Sequence, residues 1–307
     1  MIIDAHVHAF EQMNGQLAAG PIRGLGYGMV GIGDTQTTRL LPPLSTETTF
    51  TAEMLLRSMD WAGVDKAVLL QGPFYGDLND YVAQAVKRWP SRFVGAGYID
   101  LWTDHARETL DYAIQELGFR IVKIPLCDRW GFANLYPQAR LDDSTWMYEE
   151  MERLDVALTL DLGAIDSQSY QTDIVRDIAA KHPRLRIIVC HLGQPSQDME
   201  QDSLLQRRWE EQVLLARHAN VWLDLSALPA KTHGENYPFP SVGRWVRRAV
   251  ELVGSSKLLW GTDAPGLLTL GSYPQLLTLM QSHLDYLPEE EVQGVLGLNA
   301  IAAYKLR

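Results

Sequence analysis

The first ten residues, MIIDAHVHAF (residues 1–10), decide how the rest of the chain is interpreted. Side chains of an extended strand alternate between two faces, so this pattern places Asp4, His6 and His8 on one face and apolar residues on the other. Buried imidazoles need polar partners, and a metal ion is a natural partner for two that point the same way. We therefore expect a strand that ends in a metal-binding or catalytic pair.

The composition is typical of a globular protein that does not bind nucleic acid. The 307 residues are 46% hydrophobic, and 27 Lys and Arg against 38 Asp and Glu give a formal net charge of −11. No segment concentrates the basic residues, so we expect a small-molecule substrate rather than nucleic acid as the partner. The sequence shows neither an export signal nor an apolar run of about 18 residues, which predicts a cytoplasmic protein without membrane contact. The sequence leaves open whether the protein forms a homodimer.

Helical and extended patterns alternate from Thr51 onward. Helices are predicted near residues 52–62, 78–88, 105–117, 145–154, 168–181, 204–217 and 242–253, the first of them capped by Thr51 and ended by Gly63. After the first strand, strands are predicted at residues 67–70, 93–99, 119–124, 156–160, 185–190, 221–225 and 258–261, with helices between them and extra helix over 288–306. Eight apolar strands separated by helices indicate a closed (β/α)₈ TIM barrel, an α/β fold, over residues 1–307 as a single domain. The alternative is an open doubly wound sheet, which usually carries a phosphate-binding loop after its first strand. This chain has His-x-His there instead.

A long connection over residues 9–50 separates the first strand from this alternation. It contains seven glycines without clear periodicity, and it exceeds the roughly 12 to 15 residues that are usual for irregular loops. We interpret it as a long active-site loop. Gly26, Gly28 and Gly31 match the spacing of a dinucleotide fingerprint, but neither a strand directly before them nor an amphipathic helix after them supports that function.

Polar residues mark the ends of six of the eight predicted strands. Barrel enzymes place their active sites at the carboxyl ends of the strands, so these residues are expected to converge. The residues are His6, His8, Lys123, Asp161, His191, Asp224 and Asp263. Asp224 is the weakest candidate among them, because Ser226 beside it can simply cap the connection.

Three motifs make the sequence resemble the amidohydrolase superfamily, in its amidohydrolase-2 branch with the aminocarboxymuconate semialdehyde decarboxylase-like enzymes. They are DAHVH at residues 4–8, IIVCHLG at 187–193 and LLWGTDAP at 258–265, and the resemblance spans nearly the whole chain. It implies that His6, His8 and Asp263 hold a metal ion. It also implies that His191 is the histidine of the sixth strand that assists catalysis.

The fifth strand departs from the family pattern. Members that bind zinc tightly usually have a histidine at its end, where this chain has Asp161. Aspartate can ligate zinc, so Asp161 is a candidate fourth ligand, although lactone-hydrolysing relatives manage with weak metal binding or none. We expect one divalent ion, zinc before manganese, with a metal-free enzyme as the alternative. A carboxylated, metal-bridging Lys123 is disfavoured, and a lysine paired with neighbouring carboxylates is expected instead.

These residue types suit hydrolysis. Zinc with three protein ligands and one open position lowers the pKa of its bound water to about 7, and the resulting hydroxide attacks a carbonyl. Asp263 or His191 would move the proton to the leaving group, and without metal Asp263 would activate water directly. The expected substrate is a lactone, ester or amide of a small carboxylated molecule. A non-oxidative decarboxylase and a metabolite-binding barrel without turnover are the alternatives.

Four residues are candidates for contacting the substrate. Arg39 lies in the long loop, and its guanidinium matches a carboxylate in two-point geometry. Tyr75 follows the second strand, Lys123 ends the fourth strand and Trp130 follows it. We predict that these side chains line the mouth of the barrel.

Overall fold

The computed structural model describes residues 1–306, and parallel strands alternate with helices along most of them. The strands are Ile3–Val7 (β1), Gln16–Leu17 (β2), Gly20–Gly26 (β3), Met29–Ile32 (β4), Gln36–Arg39 (β5), Lys66–Leu69 (β6), Phe93–Gly95 (β7), Gly97–Tyr98 (β8), Ile121–Pro125 (β9), Ala157–Asp161 (β10), Ile187–Val189 (β11), Val221–Asp224 (β12) and Leu258–Leu259 (β13). Parallel pairing joins β1, β6 and β7 in one sheet and β8 to β13 in another.

Backbone hydrogen bonds join these two sheets into a ring. The Ala5 N–H donates to the Trp260 carbonyl over 2.9 Å, which connects β1 to the segment directly after β13. At the other junction, β7 and β8 are parts of one strand interrupted at Ala96, whose N–H donates to the Leu69 carbonyl over 3.0 Å. The predicted (β/α)₈ TIM barrel is therefore confirmed.

Most helices lie near the predicted positions, whereas those at Phe132–Leu135 and Tyr273–His283 were not predicted. They are Ala52–Ala62 (α1), Asn79–Arg88 (α2), Ala106–Asp111 (α3), Phe132–Leu135 (α4), Thr145–Arg153 (α5), Thr172–Lys181 (α6), Ser203–Val213 (α7), Pro240–Val253 (α8), Tyr273–His283 (α9), Glu289–Gln293 (α10) and Asn299–Tyr304 (α11). Helix α1 has the predicted bounds, because the Thr51 hydroxyl accepts the Met54 N–H and Gly63 ends the helix at φ 72°. Within residues 1–306, no helix is long and apolar enough to cross a membrane.

Two buried apolar layers support the barrel. One layer joins alternate residues of the strands to α11, which covers the end of the barrel where the strands begin. Its members include Ile3, Ala5, Val68, Ile121, Ile188 and Tyr304. The larger layer packs the opposite strand residues, such as Leu69, Val122 and Leu158, against the surrounding helices. The opposite end of the barrel, where the strands finish, is left for polar residues.

Residues 9–50 are more regular than the sequence indicated. They contain an antiparallel sheet in the order β2-β3-β4-β5, in which Tyr27 and Gly28 make the turn from β3 to β4 with positive φ angles. The sequence prediction of an irregular segment was wrong because β3 and β5 are mostly exposed and rich in Gly and Thr, so they show no alternation of apolar residues. The sheet brings Thr38 and Arg39 to the mouth of the barrel.

Candidate active site

Three ligand-type atoms converge where the first and last strands end. Asp263 Oδ1 lies 3.2 Å from His8 Nε2 and 3.5 Å from His6 Nε2. Ligands of a tetrahedral zinc ion, at about 2.0 to 2.1 Å from the metal, are separated by roughly 3.3 Å. The spacing of these atoms therefore matches two edges of such a site. Among the described residues, His6, His191 and Asp263 form a group whose ligand atoms all lie within 4.8 Å of one another, and His8 is connected to this group through Asp263.

Hydrogen bonds on the far side of each imidazole determine which nitrogen faces this cluster. His8 Nδ1 lies 2.8 Å from the Leu70 carbonyl, and His6 Nδ1 lies 2.9 Å from the Asp224 carboxylate. Both partners only accept hydrogen bonds, so each Nδ1 carries a proton and each neutral ring turns the lone pair of Nε2 toward Asp263. Burial lowers the pKa of His6 to about 4 and also lowers the pKa of His8, which keeps both rings neutral. The donor set fits a divalent cation.

Asp4 does not share a face with these histidines, contrary to the simple strand pattern. Its carboxylate accepts hydrogen bonds from Thr262 and from the Tyr273 hydroxyl, which lies 2.6 Å away at the start of α9. The pairing of β1 with β6 shifts register between Asp4 and Val7, and a β-bulge of this kind reverses the alternation of side chains. The prediction was wrong for Asp4, whereas His6 and His8 both reach Asp263.

Lys123 contributes a cation to the same cluster. It is buried in β9, and its Nζ lies 2.9 Å from His6 Nε2. Because this nitrogen carries a lone pair, the ammonium donates the hydrogen bond. Burial raises the pKa of the Asp161 carboxyl, but His191 and Lys123 hold this pKa below its ordinary value, so the expected pairing of Lys123 with a carboxylate is a charge interaction and the hydrogen bond goes to His6. The ammonium uses the lone pair of His6 that a metal ion would need.

Asp263 occupies a strained backbone position and remains ionised. Its φ is 57°, a left-handed conformation that is unfavourable for residues other than glycine, and its N–H donates to the His6 carbonyl over 2.8 Å. Burial raises the pKa of the Asp263 carboxyl, but a hydrogen bond from His8 and the charges of the imidazoles outweigh burial whenever these rings carry a second proton, and this pKa then lies below its ordinary value. The carboxylate is therefore available to accept a proton.

Asp224 and Ser226 position two of the histidines. Besides holding His6, the Asp224 carboxylate accepts the backbone N–H of His191 over 2.9 Å and a hydrogen bond from the Ser226 hydroxyl. The Ser226 oxygen in turn lies 2.8 Å from His191 Nδ1. Burial opposes the charge of Asp224, but the contact with His6 holds the pKa of this carboxyl well below its ordinary value. From the sequence alone, Asp224 ranked as the weakest candidate. The sequence Asp-Leu-Ser at residues 224–226, where β12 ends, is the feature that could have indicated Asp224 and Ser226.

Asp161 lies beside His191. One carboxylate oxygen accepts a hydrogen bond from Gln194 over 2.7 Å, and the other lies 3.8 Å from His191 Nε2. The close group of His6, His191 and Asp263 in the described chain does not include Asp161. Its role as a fourth metal ligand therefore stays a prediction.

A cavity of about 470 Å³ opens at this end of the barrel. Its lining includes the four residues predicted to contact substrate, together with the candidate catalytic groups: Arg39, Tyr75, Lys123, Trp130, His8, Asp161, His191 and Asp263. Tyr75 stacks on His8 with ring centroids 4.5 Å apart. Arg39 lies at the rim, where its Nη1 donates to the Tyr27 carbonyl over 3.0 Å. The structure thus brings these residues to one cavity, and their individual roles stay predictions.

Comparison with known proteins finds similar sequences and structures. The L-fucono-1,5-lactonase of Burkholderia ambifaria is 25% identical over 210 residues, which cover 66% of this chain and 66% of that protein, just under two thirds of its length. An amidohydrolase from Burkholderia multivorans with bound HEPES has a TM-score of 0.75 at 18% identity over 100% of both chains. A second crystal form of that protein, with a TM-score of 0.69 at 18% identity over 84% of this chain and 89% of that one, contains zinc.

A further solved structure has the same fold. It is a probable 2-pyrone-4,6-dicarboxylic acid hydrolase from Acinetobacter baumannii with citric acid bound, with a TM-score of 0.69 at 15% identity over 99% of each chain. The family model described as amidohydrolase matches residues 3–306, which include the strand-end histidines and Asp263. The chain therefore belongs to the amidohydrolase family.

Proposed function

We propose that the protein hydrolyses a small lactone, with Asp263 as the general base and Lys123 as the group that stabilises the developing negative charge. One observation carries this proposal. An ionised carboxylate and an ammonium line the same cavity and approach the same atom, since Asp263 Oδ1 and Lys123 Nζ lie 3.5 Å and 2.9 Å from His6 Nε2. A base beside a buried cation is the arrangement that attack of water on a carbonyl requires.

The reaction follows from these positions. Asp263 accepts a proton from a water molecule as the water oxygen attacks the lactone carbonyl. Negative charge develops on the carbonyl oxygen, and the Lys123 ammonium stabilises it in a buried environment where such an interaction is strong. When the ring C–O bond breaks, Asp263 or His191 returns a proton to the departing oxygen. The product is a hydroxy acid.

The metal centre belongs to the same proposal. His6, His8 and Asp263 would hold a divalent ion, since Asp263 Oδ1 lies at ligand spacing from Nε2 of each histidine and both nitrogens carry lone pairs. Such an ion supplies a bound water of lowered pKa and polarises a carbonyl. His6 and His8 are fixed for this task by Asp224 and the Leu70 carbonyl.

Two relatives support a cyclic ester as the substrate. One is named for a sugar lactone, and the other for a 2-pyrone that carries carboxylates. Lys123 and Arg39 are the Lys and Arg side chains among the described lining residues of the cavity, and Lys123 already contacts His6. Arg39 is therefore the one cationic side chain among these described lining residues that is free to bind a substrate carboxylate. A lactone with one carboxylate or none fits this cavity better than a dicarboxylate.

The test is a panel of lactones followed in a pH-stat. We would compare neutral sugar 1,4- and 1,5-lactones, lactones with one carboxylate and 2-pyrone-4,6-dicarboxylate, with spontaneous hydrolysis subtracted. Lactone hydrolysis near neutral pH releases a proton and consumes base, whereas decarboxylation takes up a proton and releases carbon dioxide. Base consumption well above background with at least one lactone is the expected result. Carbon dioxide release from an aromatic or unsaturated acid, without turnover of any lactone, would favour the decarboxylase.

A further inference from the structure

A second cavity lies at the opposite end of the barrel. This basal cavity has a volume of about 700 Å³ and is lined by residues that precede the strands, among them Arg120 before β9, Asp155 before β10 and Arg186 before β11. Lys305 and Leu306, which follow α11, form part of its wall. Its size is within the range of about 300 to 1,000 Å³ that is typical of small-molecule sites. The lactonase chemistry proposed above does not involve it.

Arg186 is the unusual residue in this cavity. Only 6% of it is exposed, and its Nη2 donates to the Asp155 carbonyl over 2.7 Å and lies 3.2 Å from Asp155 Oδ1. Its Nε and Nη1 are buried without a hydrogen-bond partner among the described residues. A buried donor without a partner costs about 1 to 3 kcal/mol and more when the group is charged, so most such donors are paired in folded proteins. The guanidinium thus has unused capacity for an acceptor.

The charges around Arg186 also favour an anion. Arg120, Arg186 and Lys305 contribute three positive charges to the lining, against the single carboxylate of Asp155. That carboxylate is shared, because Lys305 Nζ lies 2.7 Å from each of its oxygens. Arg120 donates only to neutral backbone carbonyls. The cavity therefore has an excess of positive charge in a chain whose formal net charge is −11.

The rest of the wall is apolar. Its residues include Val94, Leu117, Phe119, Ile121 and Leu306. An inorganic anion would leave this surface uncovered, whereas a molecule with an apolar body and one anionic group would cover it and supply the missing acceptor. We propose that the basal cavity binds a small amphiphilic carboxylate, with its carboxylate against Arg186 and its apolar part against the half-buried Val94 and Leu117.

The experiment uses octanoate as the probe and the full-length protein. Titration calorimetry is expected to show octanoate binding at least tenfold more tightly than 1-octanol, which has the same chain without the charge, and than acetate, which has the charge without the chain. Arg186→Met removes the guanidinium and retains an apolar side chain, so it should weaken octanoate binding at least tenfold. Arg184→Met is the matched control, because Arg184 is 79% exposed and lies 3.8 Å from Glu152. It should bind octanoate as the wild type does.

Two further measurements keep the outcome unambiguous. If Arg186→Met does not fold, Leu117→Trp fills the basal cavity from another side and should also abolish octanoate binding. Octanoate should leave lactone turnover unchanged, since the catalytic cavity is at the other end of the barrel. Equal binding of octanoate and octanol, unchanged binding in both cavity variants, or competitive inhibition of turnover by octanoate would each overturn the proposal. The binding measurements are independent of whether the protein hydrolyses lactones, and only the inhibition measurement needs turnover.

Discussion

Replacing Lys123 with methionine should strengthen metal binding. In the wild type the ammonium donates to the lone pair of His6 Nε2 over 2.9 Å, and the same lone pair is needed to bind a metal ion together with His8 and Asp263. A metal ion must therefore displace the ammonium before it uses all three ligands. Methionine fills a similar volume but neither donates a hydrogen bond nor carries charge.

The magnitude follows from the contact that is broken. A hydrogen bond that involves a charged group contributes about 1.5 to 3 kcal/mol, and each 1.4 kcal/mol corresponds to about a factor of ten in affinity. Removing Lys123 should therefore tighten zinc binding by about 10- to 100-fold. Repulsion between the buried ammonium and a divalent ion adds to this effect, so about tenfold is the lower end of the prediction.

Competition with a chromogenic chelator measures this affinity directly. Lys181→Met is the matched control, because Lys181 is exposed at the end of α6 and should leave zinc affinity unchanged. His6→Ala should abolish the gain in the Lys123→Met background. Zinc affinity that is unchanged in Lys123→Met would refute competition for His6 Nε2. Weaker binding would show that Lys123 itself, or a carboxylated form of it, is a ligand.

Three further substitutions test positioning and stability. Asp224→Asn should reduce kcat/KM by about 10- to 100-fold with the fold retained by circular dichroism, because His6 and His191 lose the carboxylate that orients them. Gly63→Ala should lower the free energy of unfolding by about 1 kcal/mol in urea titrations, since φ is 72° and no atom lies within 4 Å of the added methyl group. Gly28→Ala should reshape the sheet beside Arg39 and raise KM more than it lowers kcat, because its Cβ would lie 2.1 Å from the Leu41 carbonyl oxygen.

The parts of the fold that depend on local chemistry could be predicted from the sequence. Helix α1 shows why, since its bounds are set by the hydroxyl of Thr51 and by the conformational freedom of Gly63, and both are visible as residue types. The barrel strands were predicted because they are buried on both faces and form continuous apolar runs. The antiparallel sheet over residues 16–39 was not predicted, because its exposed strands have no such pattern.

The candidate site also contains residues that could be predicted from the sequence and contacts that could not. His6, His8, His191 and Asp263 could be selected because each lies at the end of a predicted strand and matches a family motif, and the structure brings them together around Asp263. The position of Asp4 could not be predicted, because a bulge depends on how β1 pairs with β6. Contacts between distant strands, such as Lys123 with His6, depend on side-chain directions in the closed barrel. They are specified only by the three-dimensional structure.

The rate of lactone ring opening by the wild type and by Asp263→Asn tests the central claim most directly. Both proteins would be assayed in the pH-stat with the best lactone of the panel, and Asp34→Asn serves as the control because Asp34 is 98% exposed. General-base catalysis by a positioned carboxylate contributes about 100- to 10,000-fold, so kcat should fall by that factor in Asp263→Asn and stay unchanged in the control. An Asp263→Asn protein that is folded and turns over the lactone within threefold of the wild-type rate would contradict the assignment of Asp263 as the base.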